Sequence, residues 1–368
     1  PNKQSDSNAV IQDNLPSIKN IGMLKSWGIV LNTCNFPKGM ERPDFVSKWL
    51  VIFRACVFSM TLFSGIIGGL LAVLTVVATP GSYSLNWVNF FLATLAIIIC
   101  HAINNMMNDF FDLKGGIDNS EYARAMYAPH PILSGLISKK GLISAILILN
   151  ALFALITLYF VYQGLFLAVG FAILGFFISY AYVAPPFNFK RHGLGELSVF
   201  IIWGPLMTGV VYYVSIGTIT PEILLATVPY AITVTTVLFG KHIDKLDADK
   251  VKKIYTLPVI LGNKIGKIVT SLLMVSFYPL VLLLVWDKVF GIGVLISLLA
   301  LPRLYTVLKI YSKPKPITPP EDWPVWPLWF VSWAFYHNKL VGGLFILGLF
   351  LNIFIPTNFL YIQSILGM

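Results

Sequence analysis

An acidic stretch closes the second long apolar run of the chain and carries the residues best suited to chemistry. It reads NNMMNDFFDLKGGID over residues 104–118 and follows the apolar segment FFLATLAIIICHAI. Asn105, Asp109 and Asp112 are spaced i, i+4 and i+7, so they share one face of a helix. Carboxylates at the membrane end of an apolar helix are costly unless they are paired or bind a cation. Because oxygen ligands one turn apart suit Mg²⁺ when phosphates complete its shell, the stretch predicts a magnesium and phosphate site.

A second acidic cluster ends a later apolar run, in the segment KHIDKLDADKVKK at residues 241–253. Asp244 and Asp247 are i, i+3 neighbours, and Asp249 lies off their face. Taken alone, this segment fits a solvated loop of mixed charge equally well. Two carboxylate clusters at the same end of the molecule could face one cavity, where Mg²⁺ would bridge phosphate oxygens and neutralise charge on a leaving group. We therefore expect Asp244, Asp247 and Asp249 to hold a second Mg²⁺.

Basic and amide side chains beside these clusters are the candidate contacts to a diphosphate. The loop YAYVAPPFNFKRHGLGEL at residues 180–197 supplies two cations behind a helix-stopping Pro-Pro pair. An ordinary basic loop is the alternative for this segment, and an anchor at the membrane interface is the alternative for Arg124 and His130. The candidate substrate contacts are Asn105, Asn108, Lys114, Asp118, Arg124, His130, Lys190, Arg191, Lys241 and Lys245.

The elements that must position these residues are membrane helices. The chain is 57% hydrophobic and only 11% charged, whereas soluble domains carry about 25% charged residues. Its apolar runs are long enough for helices that cross a bilayer, so we expect an all-α integral membrane protein with about nine such helices. The nine expected spans are roughly 49–77, 87–111, 137–162, 164–183, 197–216, 223–239, 265–286, 290–311 and 331–354.

The distribution of positive charge predicts the orientation of these spans. Nine spans that start inside place both acidic clusters and the loop 180–197 on one side, and of the 26 Lys and Arg residues only Lys288 falls in the opposite loops. This is the positive-inside pattern, so we expect the N-terminus and the candidate site to be cytoplasmic. It also accounts for the net charge of +10 without a nucleic-acid partner. We expect residues 1–46 to form a cytoplasmic extension and residues 47–368 to form one transmembrane domain.

Cysteine usage and absent motifs exclude several classes of protein. Cys34, Cys56 and Cys100 are few, scattered and odd in number, so we expect neither a disulfide framework nor a metal site, and Cys56 and Cys100 are expected to be core residues. The sequence contains no G-x-x-x-x-G-K-[ST], G-x-G-x-x-G, H-E-x-x-H or G-x-S-x-G motif. ATP-driven transport, dinucleotide redox chemistry and metalloprotease activity therefore have no support.

Taken together, the three loops make the chain similar to the UbiA superfamily of intramembrane prenyltransferases. The stretch 105–118 resembles that family's first Asp-rich motif, N-x-x-x-D-x-x-D with a later Asp. The spacing from Asp112 to Asp118 is closer to the 1,4-dihydroxy-2-naphthoate branch, which serves menaquinone biosynthesis, than to the 4-hydroxybenzoate branch. The segments FKRHGLGEL, WGPLMTGVVYYV and TLPVILGN resemble the same branch. The likeness covers roughly residues 45–355 and implies a fold of about nine membrane helices around a central cavity.

Two of the chain's departures from the family's pattern lie in its motifs, beside an extended N-terminus and a Trp- and Pro-rich approach to the last helix. The second motif is usually D-x-x-x-D, and counting back from Thr256 puts Asp249 on its second Asp but Lys245 on its first. Asp244 and Asp247 are therefore candidates to replace the displaced ligand. Where the family often has Arg-Pro, this chain has His130-Pro131.

The resemblance implies Mg²⁺-dependent transfer of a polyprenyl group from a membrane-embedded polyprenyl diphosphate to an aromatic acceptor, here a naphthoquinone precursor. In this scheme Asp109 and Asp112, with Asn105, hold one Mg²⁺, and apolar and aromatic walls shield a carbocation from water. Other acceptors stay open: homogentisate, a glycerol phosphate ether, a tetrapyrrole, or an internal double bond as in terpene cyclisation. A non-catalytic or transport protein that keeps the fold is the alternative from another class.

Overall fold

Thirteen helices account for most of the chain that the computed structural model describes, namely residues 22–40, 42–119, 125, 127–321 and 323–355. They are α1 Met23–Thr33, α2 Phe45–Ile52, α3 Ala55–Ala78, α4 Trp87–Lys114, α5 Lys139–Tyr162, α6 Leu167–Val183, α7 Gly195–Ile216, α8 Pro221–Asp244, α9 Leu246–Val251, α10 Leu257–Leu261, α11 Asn263–Trp286, α12 Ile292–Tyr311 and α13 Phe330–Leu351. Eight of them are long and apolar enough to cross a membrane, and α6 is a ninth, shorter apolar helix. The prediction of an all-α membrane protein with about nine spans is confirmed.

Helix α8 occupies the centre of the bundle. It packs against α7, α11 and α13. In its most apolar 18-residue stretch 78% of the residues are buried, whereas in the corresponding stretch of α5 the buried share is 11%. Helix α5 therefore turns most of its surface to the lipid. Close contact between helices depends on small residues, as is usual where no hydrophobic effect drives helices together. A Cβ atom at Gly68 of α3 would lie 2.6 Å from the carbonyl oxygen of Thr208 on α7.

The helix is interrupted near the position where the sequence predicted the start of the first span. Asp44 caps α2 by accepting hydrogen bonds from the backbone N–H groups of Val46 and Ser47. Helix α2 ends at Ile52, and Arg54 takes up a left-handed conformation with φ 53° before α3 begins. The prediction of one continuous span from residue 49 is therefore wrong. The turn at Arg54 lets its side chain reach the carboxylate of Asp109 inside the bundle.

Helix α7 contains one wide turn of π-helix at Ile202–Leu206, around Pro205. A proline inside a helix removes a backbone donor and leaves a carbonyl without its usual partner. For Pro205 that carbonyl belongs to the turn before it. Within the wide turn itself, the carbonyl oxygen of Trp203 accepts hydrogen bonds from the hydroxyls of Ser64 at 2.8 Å and Thr208 at 3.2 Å. In a membrane such hydroxyls satisfy a carbonyl that water cannot reach. The turn also places the Trp203 ring at the wall of the central cavity.

A disulfide joins Cys34, which follows α1, to Cys56 in the first turn of α3, and Cys100 is a free thiol. The expectation that the cysteines form no disulfide is wrong. The 22-residue separation carries no signal, because the fold at the Arg54 break, and not the spacing, brings the two thiols together. Disulfides ordinarily mark an oxidising compartment, whereas the charge distribution predicts a cytoplasmic position for this end of the bundle.

Thiol counting tests the disulfide directly. Protein purified without reductant and denatured in the presence of a maleimide should take up one equivalent, at Cys100, because the other two sulfurs are bonded to each other. After reduction it should take up three. Cys34→Ser should also lower the thermal midpoint, since a cross-link across a loop of this size contributes about 3 kcal/mol. Three reactive thiols in the unreduced protein would contradict the pairing.

Candidate active site

The three polar loops predicted to form the site meet at one end of the bundle. The backbone N–H of Tyr255 donates to the carbonyl oxygen of Arg191 at 3.2 Å, which ties the segment after α9 to the loop between α6 and α7. Lys252 donates to the carbonyl oxygen of Gly116 at 3.4 Å, and Ile117 packs against Ile254. These contacts join both acidic clusters and the basic loop into one surface, as the sequence predicted.

The acidic face of α4 is buried and fully engaged. Asn105 donates to the carbonyl oxygen of Phe53 at 2.9 Å, which anchors the break before α3. Asp109 forms an ion pair with Arg54. One turn further along, both oxygens of Asp112 accept from Lys190, at 2.6 and 2.8 Å. The face predicted from the i, i+4, i+7 spacing exists, and its two carboxylates are neutralised by cations from other elements.

Lys190 is shared between Asp112 and a predicted amide contact. Its ammonium also donates to the side-chain oxygen of Asn108, at 2.9 Å. The short turn of helix at Phe189–Arg191 presents this cation. Lys190 therefore links the basic loop to the acidic helix, and of the two cations predicted in that loop it is the one that lines the cavity.

Asp118 returns towards α4 after the Gly-Gly turn. Its backbone N–H and that of Ile117 donate to the carbonyl oxygen of Asp112, at 3.1 and 2.9 Å, and Gly116 adopts φ +68°, which favours glycine. The carboxylate lies 3.5 Å from Nε2 of His130. Nδ1 of that histidine accepts from the N–H groups of Ile132 and Leu133, so His130 orders its own loop as well.

The surroundings of Asp118 fit a divalent cation. Ligand atoms of Asp109, Asp118 and His130 all lie within 4.8 Å of one another, and all three residues are buried. Within the described part of the chain, Oδ1 of Asp118 accepts no hydrogen bond. A buried carboxylate oxygen without a partner is costly, and a hard cation is the type of ligand that would satisfy it.

The second cluster contributes a different carboxylate from the pair that the sequence favoured. Asp249 is buried and lies 3.3 Å from Lys245, and Lys245 lines the cavity. Asp244 instead accepts from the backbone N–H groups of Phe330 and Val331, at 3.0 and 2.9 Å, and Asp247 is exposed on α9. The prediction that Asp244 and Asp247 face the cavity is wrong, because the helix ends at Asp244 and the N-terminus of α13 captures its carboxylate.

Some of the remaining predicted cations line the cavity and others do not. Lys241 lines the cavity, whereas Lys114 is exposed at the end of α4 and Arg191 lies against the turn at Gly115. Arg124 lies outside the described residues. Lys114 is not part of the described cavity wall, so the structure does not support it as a direct substrate contact.

Arg54 is the functional candidate that the sequence analysis missed. It lines the cavity and its guanidinium is paired with Asp109. Burial alone opposes the charged form, but the carboxylate of Asp109 and the neighbouring Tyr127 outweigh that effect and raise the pKa of Arg54. In the same way Asp249 outweighs the burial of Lys245 and raises its pKa. The signal for Arg54 was a single cation inside the apolar run WLVIFRACVF, where a charge requires a partner.

Two neighbouring cavities inside the bundle share part of their walls. The charged cavity has a volume of about 160 Å³, and the charged members of its wall are Arg54, Asp112, Asp118, Lys190, Lys241 and Lys245. The apolar cavity, of about 90 Å³, lies between α4, α5, α6 and α7. Both walls include His101, Asn104, Ile202 and Trp203. The arrangement suits a molecule with an anionic head and an apolar tail.

The fold and the site together define a multi-pass membrane protein with a charged cavity beside an apolar one. The sequence profile of the UbiA prenyltransferase family matches residues 69–318. The chain belongs to the UbiA prenyltransferase family. The resemblance inferred from the three loops is thereby confirmed.

Named relatives are similar to large parts of this chain. A Synechocystis protein named 2-carboxy-1,4-naphthoquinone phytyltransferase is 31% identical over 193 residues, which is 51% of this chain and 59% of that protein. UbiA prenyltransferase domain-containing protein 1 of Xenopus tropicalis is 22% identical over 272 residues, 74% of this chain and 76% of that protein. The chain spans 59% of the length of the Synechocystis protein. It spans 62% of the length of UbiA prenyltransferase domain-containing protein 1 of Danio rerio, which is also less than two thirds.

Solved structures share the fold at low sequence identity. An apo structure of a UbiA homologue from Aeropyrum pernix K1 has a TM-score of 0.58 at 16% identity, covering 80% of this chain and 98% of that one. A UbiA homologue from Archaeoglobus fulgidus bound to GPP and Mg²⁺ has a TM-score of 0.54 at 19% identity, covering 84% and 100%. These likenesses confirm the predicted helical fold.

The same substitution at Asp249 and Asp244 separates a metal ligand from a helix cap. Asp249→Asn should weaken Mg²⁺ binding in the presence of inorganic diphosphate at least about tenfold by calorimetry, since an amide is a poorer cation ligand. Asp244→Asn should leave Mg²⁺ binding unchanged, because Asn caps a helix as well as Asp does. Equal weakening by both changes would return Asp244 to the metal site.

Proposed function

We propose that the protein is a Mg²⁺-dependent prenyltransferase that moves a polyprenyl group from its diphosphate to an aromatic acceptor of the naphthoquinone-precursor type. The observation that carries this proposal is the wall that the two cavities share, formed by His101, Asn104, Ile202 and Trp203. A prenyl diphosphate has an anionic head and an apolar tail, and each cavity matches one part of it. The family assignment and the relatives' names support the same class of reaction.

The charges of the site are arranged to receive a diphosphate together with its metal. The cations Arg54, Lys190, Lys241 and Lys245 stand beside the carboxylates of Asp109, Asp112, Asp118 and Asp249. Four positive charges oppose four negative ones, so a diphosphate alone would leave the buried site anionic. The carboxylates would hold Mg²⁺, which withdraws charge from the departing diphosphate. A metal that enters with the diphosphate keeps the cavity close to neutral, as burial in a membrane requires.

The cations act on the donor once the diphosphate is bound. Lys190 and Arg54 are held on their carboxylates in the unliganded protein, and phosphate oxygens would compete for their N–H donors. These donors stabilise the negative charge that grows on the leaving diphosphate as the bond to the prenyl carbon breaks. Trp203 and the apolar cavity exclude water from that carbon, so that an acceptor can react before water does.

The acceptor and the orientation are the finer parts of the proposal. A naphthoquinone precursor is supported by the name of the Synechocystis relative and by the segments around residues 189–197 and 256–263. The cytoplasmic placement of the site is supported by the positive-inside pattern. A non-catalytic protein with the same fold is the competing hypothesis, and the feature that favours it is Lys245 at the position of a family Asp.

Pyrophosphate release tests the class of the protein. We expect purified protein with Mg²⁺, a prenyl diphosphate and 1,4-dihydroxy-2-naphthoate to release pyrophosphate and form a prenylated naphthalene, both of which should stop when a chelator removes the metal. Release with a different product would keep the enzyme and change the acceptor. Protein that binds the donor but releases nothing with any acceptor would be the non-catalytic relative.

Asp112 provides the sharpest test of the acidic face. Asp112→Asn should lower turnover at least about 100-fold, because it removes a metal ligand and the partner of buried Lys190. Lys114→Ala, half a turn further along α4 and exposed to solvent, should change the rate less than twofold. Undiminished turnover by the Asp112 variant, measured on protein with an unchanged thermal midpoint, would remove it from the site.

Gly175 of α6 tests the proposed site of the prenyl tail. It lines the apolar cavity, and a Cβ atom there would meet nothing within 4 Å, so Gly175→Phe can fill the cavity without a clash. We expect this change to lower kcat/KM for long donors about tenfold or more and to spare the shortest donors. Gly170→Phe, on the same helix but outside that wall, is the control. An equal loss for short and long donors would place the tail elsewhere.

A further inference from the structure

A buried histidine and carboxylate face each other across two helices beside the charged cavity. Nδ1 of His242, in the last turn of α8, lies 2.6 Å from Oε1 of Glu196, in the first turn of α7. Their exposed side-chain fractions are 3% and 2%. Burying such a pair inside a membrane bundle is costly, and the hydrogen bond joins two side chains that are not among those assigned to the diphosphate. The pair therefore needs a role of its own.

The hydrogen bond orients the ring relative to the carboxylate. When the carboxylate is ionised and the imidazole neutral, the shared proton lies on Nδ1 and Nε2 carries the lone pair. Among the described residues, Oε2 of Glu196 has no hydrogen-bond partner, so the contact that the structure shows for this carboxylate is the one to the imidazole. A carboxylate that holds Nδ1–H orients the ring and stabilises the imidazolium that forms when Nε2 takes up a proton.

The position of His242 suits an aromatic acceptor. Its ring borders the charged cavity, as do Tyr182 and Trp203. A Cβ atom at Gly195 would lie 3.3 Å from Cε2 of Tyr182 and 3.7 Å from Cε1 of His242, so both rings converge at this glycine. Flat side chains around one basic nitrogen form a surface for a flat molecule that carries an acidic hydroxyl.

We propose that His242 is the base that takes the hydroxyl proton of the acceptor, and that Glu196 is its positioning residue. This inference rests on the proposed prenyl transfer and adds the acceptor subsite to it. A hydroxyl with a pKa of about 10, like that of tyrosine, is ionised in roughly one molecule in a thousand at neutral pH. Because ionisation raises electron density on the ring, a base at the hydroxyl promotes attack on the prenyl group.

Prenyl transfer to the ionised acceptor exchanges a carbon–oxygen bond for a carbon–carbon bond. The hydroxyl proton moves to Nε2 of His242 and leaves its electron pair on oxygen. The ring carbon next to that oxygen forms a bond to the first carbon of the prenyl group, while the bond from that carbon to the diphosphate breaks and its electron pair leaves with the diphosphate. The ring then loses the hydrogen ion of the alkylated carbon to water as the oxygen regains a proton from the imidazolium. One proton is released overall and His242 is neutral again.

The test compares naphthol acceptors that differ in hydroxyl acidity. We expect His242→Gln to lower the transfer rate by about 10²–10³-fold for weakly acidic naphthols and by less than about tenfold for strongly acidic ones, which ionise without help. Glu196→Gln should show the same trend at smaller amplitude. His337→Gln is the matched control, because His337 is equally buried and hydrogen-bonded to Tyr278 at 3.0 Å but does not border the charged cavity. A loss independent of acceptor acidity would overturn the proposal.

Two further measurements separate this inference from the proposed function. Pyrophosphate release from the donor without acceptor should stay within about threefold of the wild type in the His242 variant, because the base acts only on the acceptor; its loss would show a role at the diphosphate instead. The absorption spectrum of a bound naphthol, recorded without donor, should be that of the ionised form in the wild type and of the neutral form in the variant. Identical spectra would refute the role of His242 even if prenyl transfer itself were absent.

Discussion

The polar end of this bundle depends on the burial of charge in pairs. Arg54 with Asp109, Lys190 with Asp112 and Lys245 with Asp249 each join residues that an apolar environment would not accept singly. The first two pairs also connect distant parts of the chain: the break before α3 to α4, and the basic loop to α4. Removing one partner of such a pair typically costs about 3–5 kcal/mol, because the other charge stays buried. The loops are thus held together by the groups that would bind a ligand.

This arrangement explains how a strongly charged ligand can enter the membrane interior. In the proposed function, a diphosphate and its metal exchange partners with ion pairs that already exist, so little new charge has to be desolvated. A preformed set of donors and carboxylates also costs little reorganisation when charge develops on the leaving group. The apolar cavity adjoins the charged one at His101 and Trp203, so the same ligand satisfies both environments. Neither cavity alone would select such a molecule.

The sequence predicted those features that depend on local periodicity and composition. The helical fold and the shared face of Asn105, Asp109 and Asp112 follow from spacing along one element. Features that depend on where an element stops, or on what another element brings, could not be predicted in this way. The sequence predicted Asp244 as a metal ligand, whereas its carboxylate accepts hydrogen bonds from the N-terminus of α13.

Two other misses have the same physical origin. Cys34 and Cys56 meet because the chain turns at Arg54, and no spacing rule anticipates a turn inside an apolar run. The pair of His242 and Glu196 joins two helix ends that are distant in sequence. For the disulfide the available signal was Arg54, a charged residue within an apolar run that needs a partner in a membrane, whereas His242 and Glu196 lie in polar segments that gave no such signal.

Lys245 shows how the departure from the family's second motif is accommodated. It stands where the D-x-x-x-D pattern has its first Asp, and it remains in the cavity wall, 3.3 Å from Asp249. Exchanging an Asp for a Lys changes the local charge by two units, so this side of the site offers one metal ligand fewer and one phosphate donor more. A lysine binds phosphate as a point charge without fixed geometry, and Asp249 holds it in place. In the proposed function the diphosphate is therefore bound by metal mainly on the α4 side and by direct cation contact on the α8 side.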